Sequence, residues 1–186
     1  MTSCTTYGAH VARVTPDVQA VQTMGDVVRQ GKTITRVGRS GAQLFIGVLA
    51  ADQISKVMAT RVLSDGPVEI VGPIDLTLVH NTGAAFGLLG TLTPVLTILG
   101  LLGAVAGWVV ATRTMGLHAL GWVMIGSGAG GNLLDRLLRA PAPGRGSVID
   151  FIDVGSFPVF NLADIAVCVG ATLVVLSVRK HSTRPD

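Results

Sequence analysis

The sequence predicts an all-α integral membrane protein, with four transmembrane helices and a small extracytoplasmic β element between helices 1 and 2. Composition is the first sign: 49% of the 186 residues are hydrophobic and only 13% charged, where a soluble domain is roughly a quarter charged. The second is a set of four weakly charged stretches of about 20 residues, the length needed to cross a hydrocarbon core of about 30 Å. The third is that Lys and Arg gather in a few connecting segments, as they do in chains whose loops are sorted across a bilayer.

Residues 1–40 are polar, carry Arg13, Arg29, Lys32, Arg36 and Arg39, and show no sustained periodicity. They read as a flexible cytoplasmic tail. The first apolar run starts only after residue 40, too far from the first charges for a cleaved secretory leader, so the first span is expected to be retained. That span covers 41–63 and contains Asp52 and Lys56. Four residues apart, these share a helix face and can neutralise each other. The plain expectation is an internal ion pair that ties this helix to its neighbours, with direct chemistry by Asp52 the lesser alternative.

Between residues 64 and 90 the pattern changes. Gly-Pro at 66–67 and 72–73 punctuates VEIV and IDLTLVH, which are β-branched and roughly alternating, the signature of short strands. A small sheet lying on the membrane surface is expected there. It is followed by NTGAAFGLL, where Asn81, Gly83 and Gly87 leave room for close backbone approach and Ala84, Ala85, Phe86 and Leu88 suggest contact with lipid or an acyl chain. The second span runs over 92–111, with Pro94 in its first turn, and the third over 117–138. The GSGAGG run of the third span is a small-residue surface suited to close helix packing in lipid. The fourth span is predicted from about Phe160 to Val178, with a cytoplasmic tail at 181–186.

Charge sets the orientation. The 1–40 segment, the 111–116 connection and the chain end with Arg179, Lys180 and Arg184 are basic, whereas 64–91 has no Lys or Arg and carries Asp65, Glu69 and Asp75. The positive-inside rule then places both termini in the cytoplasm and the 64–91 and 139–157 segments outside, with Arg139 and Arg145 weakening the contrast for the second.

Several function classes are disfavoured. Eight aromatic residues are too few for a stacking platform on single-stranded nucleic acid, and the net charge of +3 reads as topology. Cys4 and Cys168 lie in unlike surroundings and suggest no disulfide framework, while His10, His80, His118 and His181 are scattered. No metal and no cofactor is expected.

Chemistry points to VIDFIDVGSFPVFNLAD, residues 148–164, which holds Asp150, Asp153 and Asp164 just before the last apolar run. With the orientation above, Asp150 lies in the outer loop and Asp164 about one turn into the fourth span. Asn132, Asp135 and Arg136 lie near the outer end of the third. Two carboxyls in a partly dry pocket share a proton and can activate a water. Plainer readings stand beside this one. Asp135 and Arg136 form a local salt bridge, Asp153 is a solvated carboxylate, Asn161 caps the fourth span, and Asp164 is a buried structural acid. A proton relay through Asp52, Asp135 and Asp164 in a small transporter is a rival, but transporters show internal repeats and a midplane site, and neither is evident. A membrane scaffold would need only one ion pair.

Taken in order, DQISK (Asp52–Lys56), NTGAAFG (Asn81–Gly87), GGNLLDR (Gly130–Arg136), VIDF (Val148–Phe151) and FNLAD (Phe160–Asp164) resemble the motifs of the lipoprotein signal peptidases, or signal peptidase II. The resemblance implies a four-helix inner-membrane aspartic endopeptidase over about residues 41–180. Such an enzyme removes the signal peptide of diacylglyceryl-modified prolipoproteins just before the lipidated Cys. It implies Asp150 and Asp164 as the catalytic pair, and Asn81, Asn132, Arg136 and Asn161 as groups that hold the substrate backbone or fix the pair. Asp52, Lys56 and Asp135 would be structural. The partners implied are lipidated prolipoproteins and membrane lipid, with no nucleic acid, and the enzyme would be monomeric.

Overall fold

The structure is a computed structural model that describes residues 38–83 and 93–182, with side chains to Arg179. The calls on residues 1–37 and 183–186, and on the lipid-contacting residues of 84–92, lie outside the described residues. Four long helices dominate, α1 (Arg39–Val62), α2 (Thr93–Arg113), α3 (Gly116–Leu138) and α4 (Leu162–Ser182). They fall within a few residues of the expected spans. The first begins at Arg39, so the last residues assigned to the tail are already helical, and the fourth continues to Ser182.

The expected β element is present as β1 (Val68–Val71) and β2 (Ile74–Asn81), but it is only half of the sheet. The 139–157 segment, read as a loop, supplies β3 (Val148–Val154), and β4 (Phe157–Phe160) follows it. The four strands pair antiparallel in the order β1-β2-β3-β4. The fold is therefore mostly helical with an antiparallel sheet, which corrects the all-α expectation. The physical reason is that VIDFIDV and FPVF are themselves β-branched and aromatic, and they complete the free edge left by β2. Asp150 consequently sits in a strand, where backbone pairing fixes it, rather than in a loop.

Burial runs opposite to that of a soluble protein. Asp52, Lys56, Ser127, Asp135, Arg136, Asp150 and Asn161 are buried, whereas Ile46, Ile54, Val62, Ile98, Leu102, Val105 and Leu176 are exposed. Polar groups inside and aliphatic groups outside suit a lipid surround. Among the described residues, α2 and the Leu162–Arg179 part of α4 are long and apolar enough to cross a membrane. The other two helices carry the buried charges, Asp52 and Lys56 on α1 and Asp135 and Arg136 on α3.

α3 packs between α2 and α4 through the predicted small-residue run. A Cβ placed on Gly107 of α2 would stand 2.5 Å from the Gly126 Cα, and one on Gly128 would run into the Ala163 carbonyl oxygen of α4. Neither crossing has room for a methyl group, so the backbones meet directly. A core of Ala59, Leu63, Ile149 and Phe151, with Leu76, Leu78, Ile152 and Leu162 against it, joins the sheet to the ends of α1 and α4.

Candidate active site

The site is built at the start of α4. Asn161 precedes the first helical residue, and its side-chain oxygen accepts from the Asp164 backbone N–H at 3.1 Å. Asp164 reciprocates, with Oδ2 accepting from the Asn161 backbone N–H at 3.2 Å. This is a capping box, and it locks the Asp164 carboxylate at the helix mouth. Asn161 is thus the cap that the plain reading expected, but its amide does more. Nδ2 donates to Asp150 Oδ1 at 2.6 Å and to Asn132 Oδ1 at 3.2 Å.

Asp150 is held from its other side by Asn81, whose Nδ2 donates to Oδ2 at 2.9 Å. The strands explain that contact. Val79 pairs with Asp150 and Asn81 with Val148, so Asn81 and Asp150 are diagonal neighbours on one face of the sheet. Asp164 Oδ1 accepts from Asn132 Nδ2 of α3 at 2.8 Å. All four carboxylate oxygens of Asp150 and Asp164 therefore receive a hydrogen bond, and every donor is a neutral amide.

The direction of the Asn132 amide is set by Lys56. An ammonium can only donate, and Lys56 Nζ lies 2.9 Å from Asn132 Oδ1. The NH₂ end must then face Asp164. Lys56 is fully buried and also pairs with Asp52 Oδ2 and Asp135 Oδ2, each at 2.9 Å. Its three protons thus have three acceptors.

The two carboxylates beside Lys56 reach further. Asp52 Oδ1 accepts from the Ala163 backbone N–H at 3.0 Å, and Asp135 Oδ2 from the Ile149 backbone N–H at 3.2 Å. Each grips the residue immediately before one of the paired aspartates. Gln53 braces the cluster from α1, donating to Asp52 Oδ2 and to the Gly131 carbonyl at 3.1 Å each. The approach is tight: a Cβ on Gly131 would lie 2.5 Å from Asp52 Oδ2.

The expected Asp135–Arg136 salt bridge is not the one formed. Asp135 pairs with Lys56 and, at 2.7 Å, with the Arg139 Nε one turn on. Sequence reading missed Arg139 and Gln53 as members of the cluster, although the i, i+4 spacing of Asp135 and Arg139 was a usable signal. Arg136 is 8% exposed, and its Nη1 is buried with no hydrogen-bond partner among the described residues. That nitrogen lies beside Gly83, about 3.9 Å from where a Cβ there would stand. Asp153 is away from the site, paired across the strands with Asp75.

A cavity of about 480 Å³ opens onto the two aspartates, lined by Asn81, Asp150 and Asp164 at its polar end and by β4 and the first turns of α4 elsewhere. Burial pushes the Asp150 carboxyl above the usual carboxylate range. The Asn81 and Asn161 hydrogen bonds oppose the rise, the nearby Asp164 charge adds to it, and Lys56 acts against it at a distance. The arrangement can hold a proton on one carboxyl while the other stays ionised, which is what general acid and base work on one water requires.

The sequence profile of the family described as signal peptidase (SPase) II matches residues 44–180. The chain belongs to the signal peptidase II family. It is accordingly a peptidase. The lipoprotein signal peptidases of Mycobacterium avium and Mycobacterium leprae are each 48% identical to it over 133 residues, 69% of this chain and 72% and 66% of theirs. That of Mycobacterium tuberculosis H37Rv is 47% identical over 133 residues, 69% of this chain and 65% of the relative. Two solved structures, both described as bacterial membrane enzymes, share the fold seen here. One has a TM-score of 0.61 at 25% identity, over 79% of this chain and 92% of that one. The other has a TM-score of 0.65 at 24% identity, over 75% and 92%. A membrane location follows from the family, the neighbour at 25% identity and the two apolar helices among the described residues.

Proposed function

We propose that this signal peptidase II is an aspartic endopeptidase that removes the signal peptide from diacylglyceryl-modified prolipoproteins, cutting before the lipidated Cys, with Asp150 and Asp164 as its catalytic pair. The observation that carries this reading is the shared amide of Asn161, which caps the helix that bears Asp164 and donates to Asp150 at 2.6 Å. It ties the two carboxyls to one cavity.

In the reaction, the ionised carboxylate takes a proton from water as the water oxygen attacks the scissile carbonyl carbon. The protonated carboxyl donates to the carbonyl oxygen. As the tetrahedral intermediate collapses, the C–N bond breaks, the amine leaves with a proton from the pair, and the new carboxylic acid forms. Asn132 and Asn161 hold the two carboxyls in register. Arg136, whose Nη1 beside Gly83 has no hydrogen-bond partner among the described residues, and Asn81 hold the substrate backbone in this reading. Asp52, Lys56 and Asp135 act as a clamp that fixes the backbone one residue before each aspartate.

All four helices span the membrane in this reading, with both termini cytoplasmic and the site near the outer surface of the bacterial inner membrane. The basic residue counts support that orientation. Residues 1–40 and 181–186 are then cytoplasmic tails on a monomeric 41–180 peptidase domain. The substrate's acyl chains stay in the bilayer while its peptide enters beneath the sheet.

The test is incubation of the purified protein with one lipidated precursor. A shortened product with lipidated Cys at its new N-terminus is expected. Equal turnover of an unlipidated precursor would refute the substrate class, and full activity of Asp150→Asn would refute the pair.

A further inference from the structure

The register of the sheet sorts its side chains into rows. At the hairpin ends Val71 pairs with Ile74, Ile74 with Val154, and Val154 with Phe157, which makes one apolar row across all four strands. The next row inward is acidic, Glu69 with Asp75 and Asp75 with Asp153. The row after that is apolar again, with Val68, Leu76, Ile152 and Phe160 paired in turn. Side chains alternate faces with a period of two. On β2 and β3, Ile74, Leu76, Ile152 and Val154 therefore share one face, and Asp75 and Asp153 share the other.

The inner apolar row is covered in part, since Leu76 and Ile152 pack on the core. The outer row is covered less, with Val71 67% exposed, Phe157 64% and Ile74 37%, and Val154 half-buried. Three like charges set side by side oppose pairing in water, so burial of the apolar face has to make up that cost. The two hairpin turns are also locked together, with the Gly155 N–H donating to the Pro73 carbonyl at 2.9 Å. The outer row is thus a rigid apolar edge rather than two loose loops.

We infer that the Val71–Ile74–Val154–Phe157 row inserts into the acyl region of the outer leaflet, while Glu69, Asp75 and Asp153 face water. Two features choose lipid over another occupant. The acidic row on the opposite face gives the sheet one orientation at an interface, as the polar face does for an amphipathic helix. In addition, Phe157 lines the same cavity as Ile165 and Val169 of α4, both exposed and apolar on a helix long enough to cross a membrane. The outer row thereby continues a lipid-facing surface. Val154 lies four residues from Asp150, roughly 13 Å along the strand, so the strand that bears Asp150 is moored to lipid at its far end.

This rests on the membrane location and the proposed orientation, and not on the peptidase assignment. The full chain with Cys4→Ser and Cys168→Ser, in phospholipid nanodiscs, would carry a nitroxide on Val71→Cys, Ile74→Cys, Glu69→Cys or Asp75→Cys in turn. Collision with oxygen, which partitions into lipid, is compared with collision with a water-soluble nickel chelate. The oxygen-to-nickel ratio is expected to be several-fold higher at 71 and 74 than at 69 and 75. Equal ratios at all four positions would place the sheet in water and overturn the inference. So would exclusion of both reagents at 71 and 74 with broadening between labels, because a second copy would then cover the row. Labels report depth whether or not the protein cleaves, so a failed activity assay leaves this result standing.

Discussion

Two pairs of acids lie side by side in this molecule and are held in opposite ways, with Asp52, Asp135 and Asp150 buried and Asp164 half-buried. Asp52 and Asp135 are each within 2.9 Å of the Lys56 ammonium, and Asp135 also pairs with Arg139. Asp150 and Asp164 make no ion pair among the described residues, and their oxygens rest on amides. The oxygens of Asp52 and Asp135 are taken up by Lys56, Arg139 and backbone N–H groups, and neither residue lines the cavity. Those of Asp150 and Asp164 rest on neutral donors, and both residues open onto it. The cation-paired set is thus suited to holding backbone, and the amide-held set to proton transfer.

The contrast is most sharply tested at the amide-held pair. Asp150→Asn and Asp164→Asn are each expected to lower kcat by about 10³-fold or more while the protein still inserts and melts cooperatively. Asp52→Asn should instead chiefly lower accumulation of the protein. A reversed outcome, with Asp52→Asn dead but stable and Asp150→Asn active, would exchange the roles of the two sets.

Next in size is Lys56→Met, which strands Asp52 without a cation and leaves Asp135 only Arg139. Breaking a buried pair in this way costs about 3–5 kcal/mol, read as loss of folded protein. The triple change Asp52→Asn, Lys56→Met and Asp135→Asn removes the stranded charges and should recover much of that stability. It should not recover kcat, because Asn132 has lost the group that sets its direction. Full activity of the triple variant would reduce the cluster to a packing role.

Asn132→Ala takes one hydrogen bond from Asp164. A bond to a charged group is worth about 1.5–3 kcal/mol, so kcat should fall roughly 10–150-fold with KM little changed. A rise in KM with kcat intact would make Asn132 a substrate contact instead.

The smallest effect concerns pH. Burial raises the Asp150 pKa, so the folded state favours the protonated form. The group's contribution to stability is therefore fully present below the ordinary carboxylate range and is lost as pH rises through the raised value. Asp150→Asn has no charge to bury and should melt no lower than the parent at neutral pH, with the difference vanishing in acid. A lower Tm at neutral pH would mean that the charge is stabilising. For the same reason, activity should decline on the alkaline side as the shared proton is lost.

How much of this was legible beforehand differs by element. The helices announced themselves through apolar length, and the GSGAGG run of α3 does make the close crossings that its composition suggested. VEIV and IDLTLVH were readable as strands from β-branching between Gly-Pro turns. VIDFIDV was not so read, because it falls in the connection between two predicted spans, and no local pattern shows that β2 needs a partner. The Asn161 cap was visible from its place before an apolar run. Its second hydrogen bond, to Asp150, was not.

The sequence by itself determined which side chains would be polar inside an apolar chain, and in what order they occur, because a charge in a nearly uncharged run is conspicuous without coordinates. Tertiary structure alone decided what those side chains do. Asp52 meets the Ala163 amide 111 residues away, and Lys56 meets Asn132 76 residues away. Such contacts follow from how helices and strands pack in space, and packing leaves no periodic trace in the local sequence at either end. The difference between a carboxylate held by a cation and one held by an amide therefore emerges only once the chain has folded.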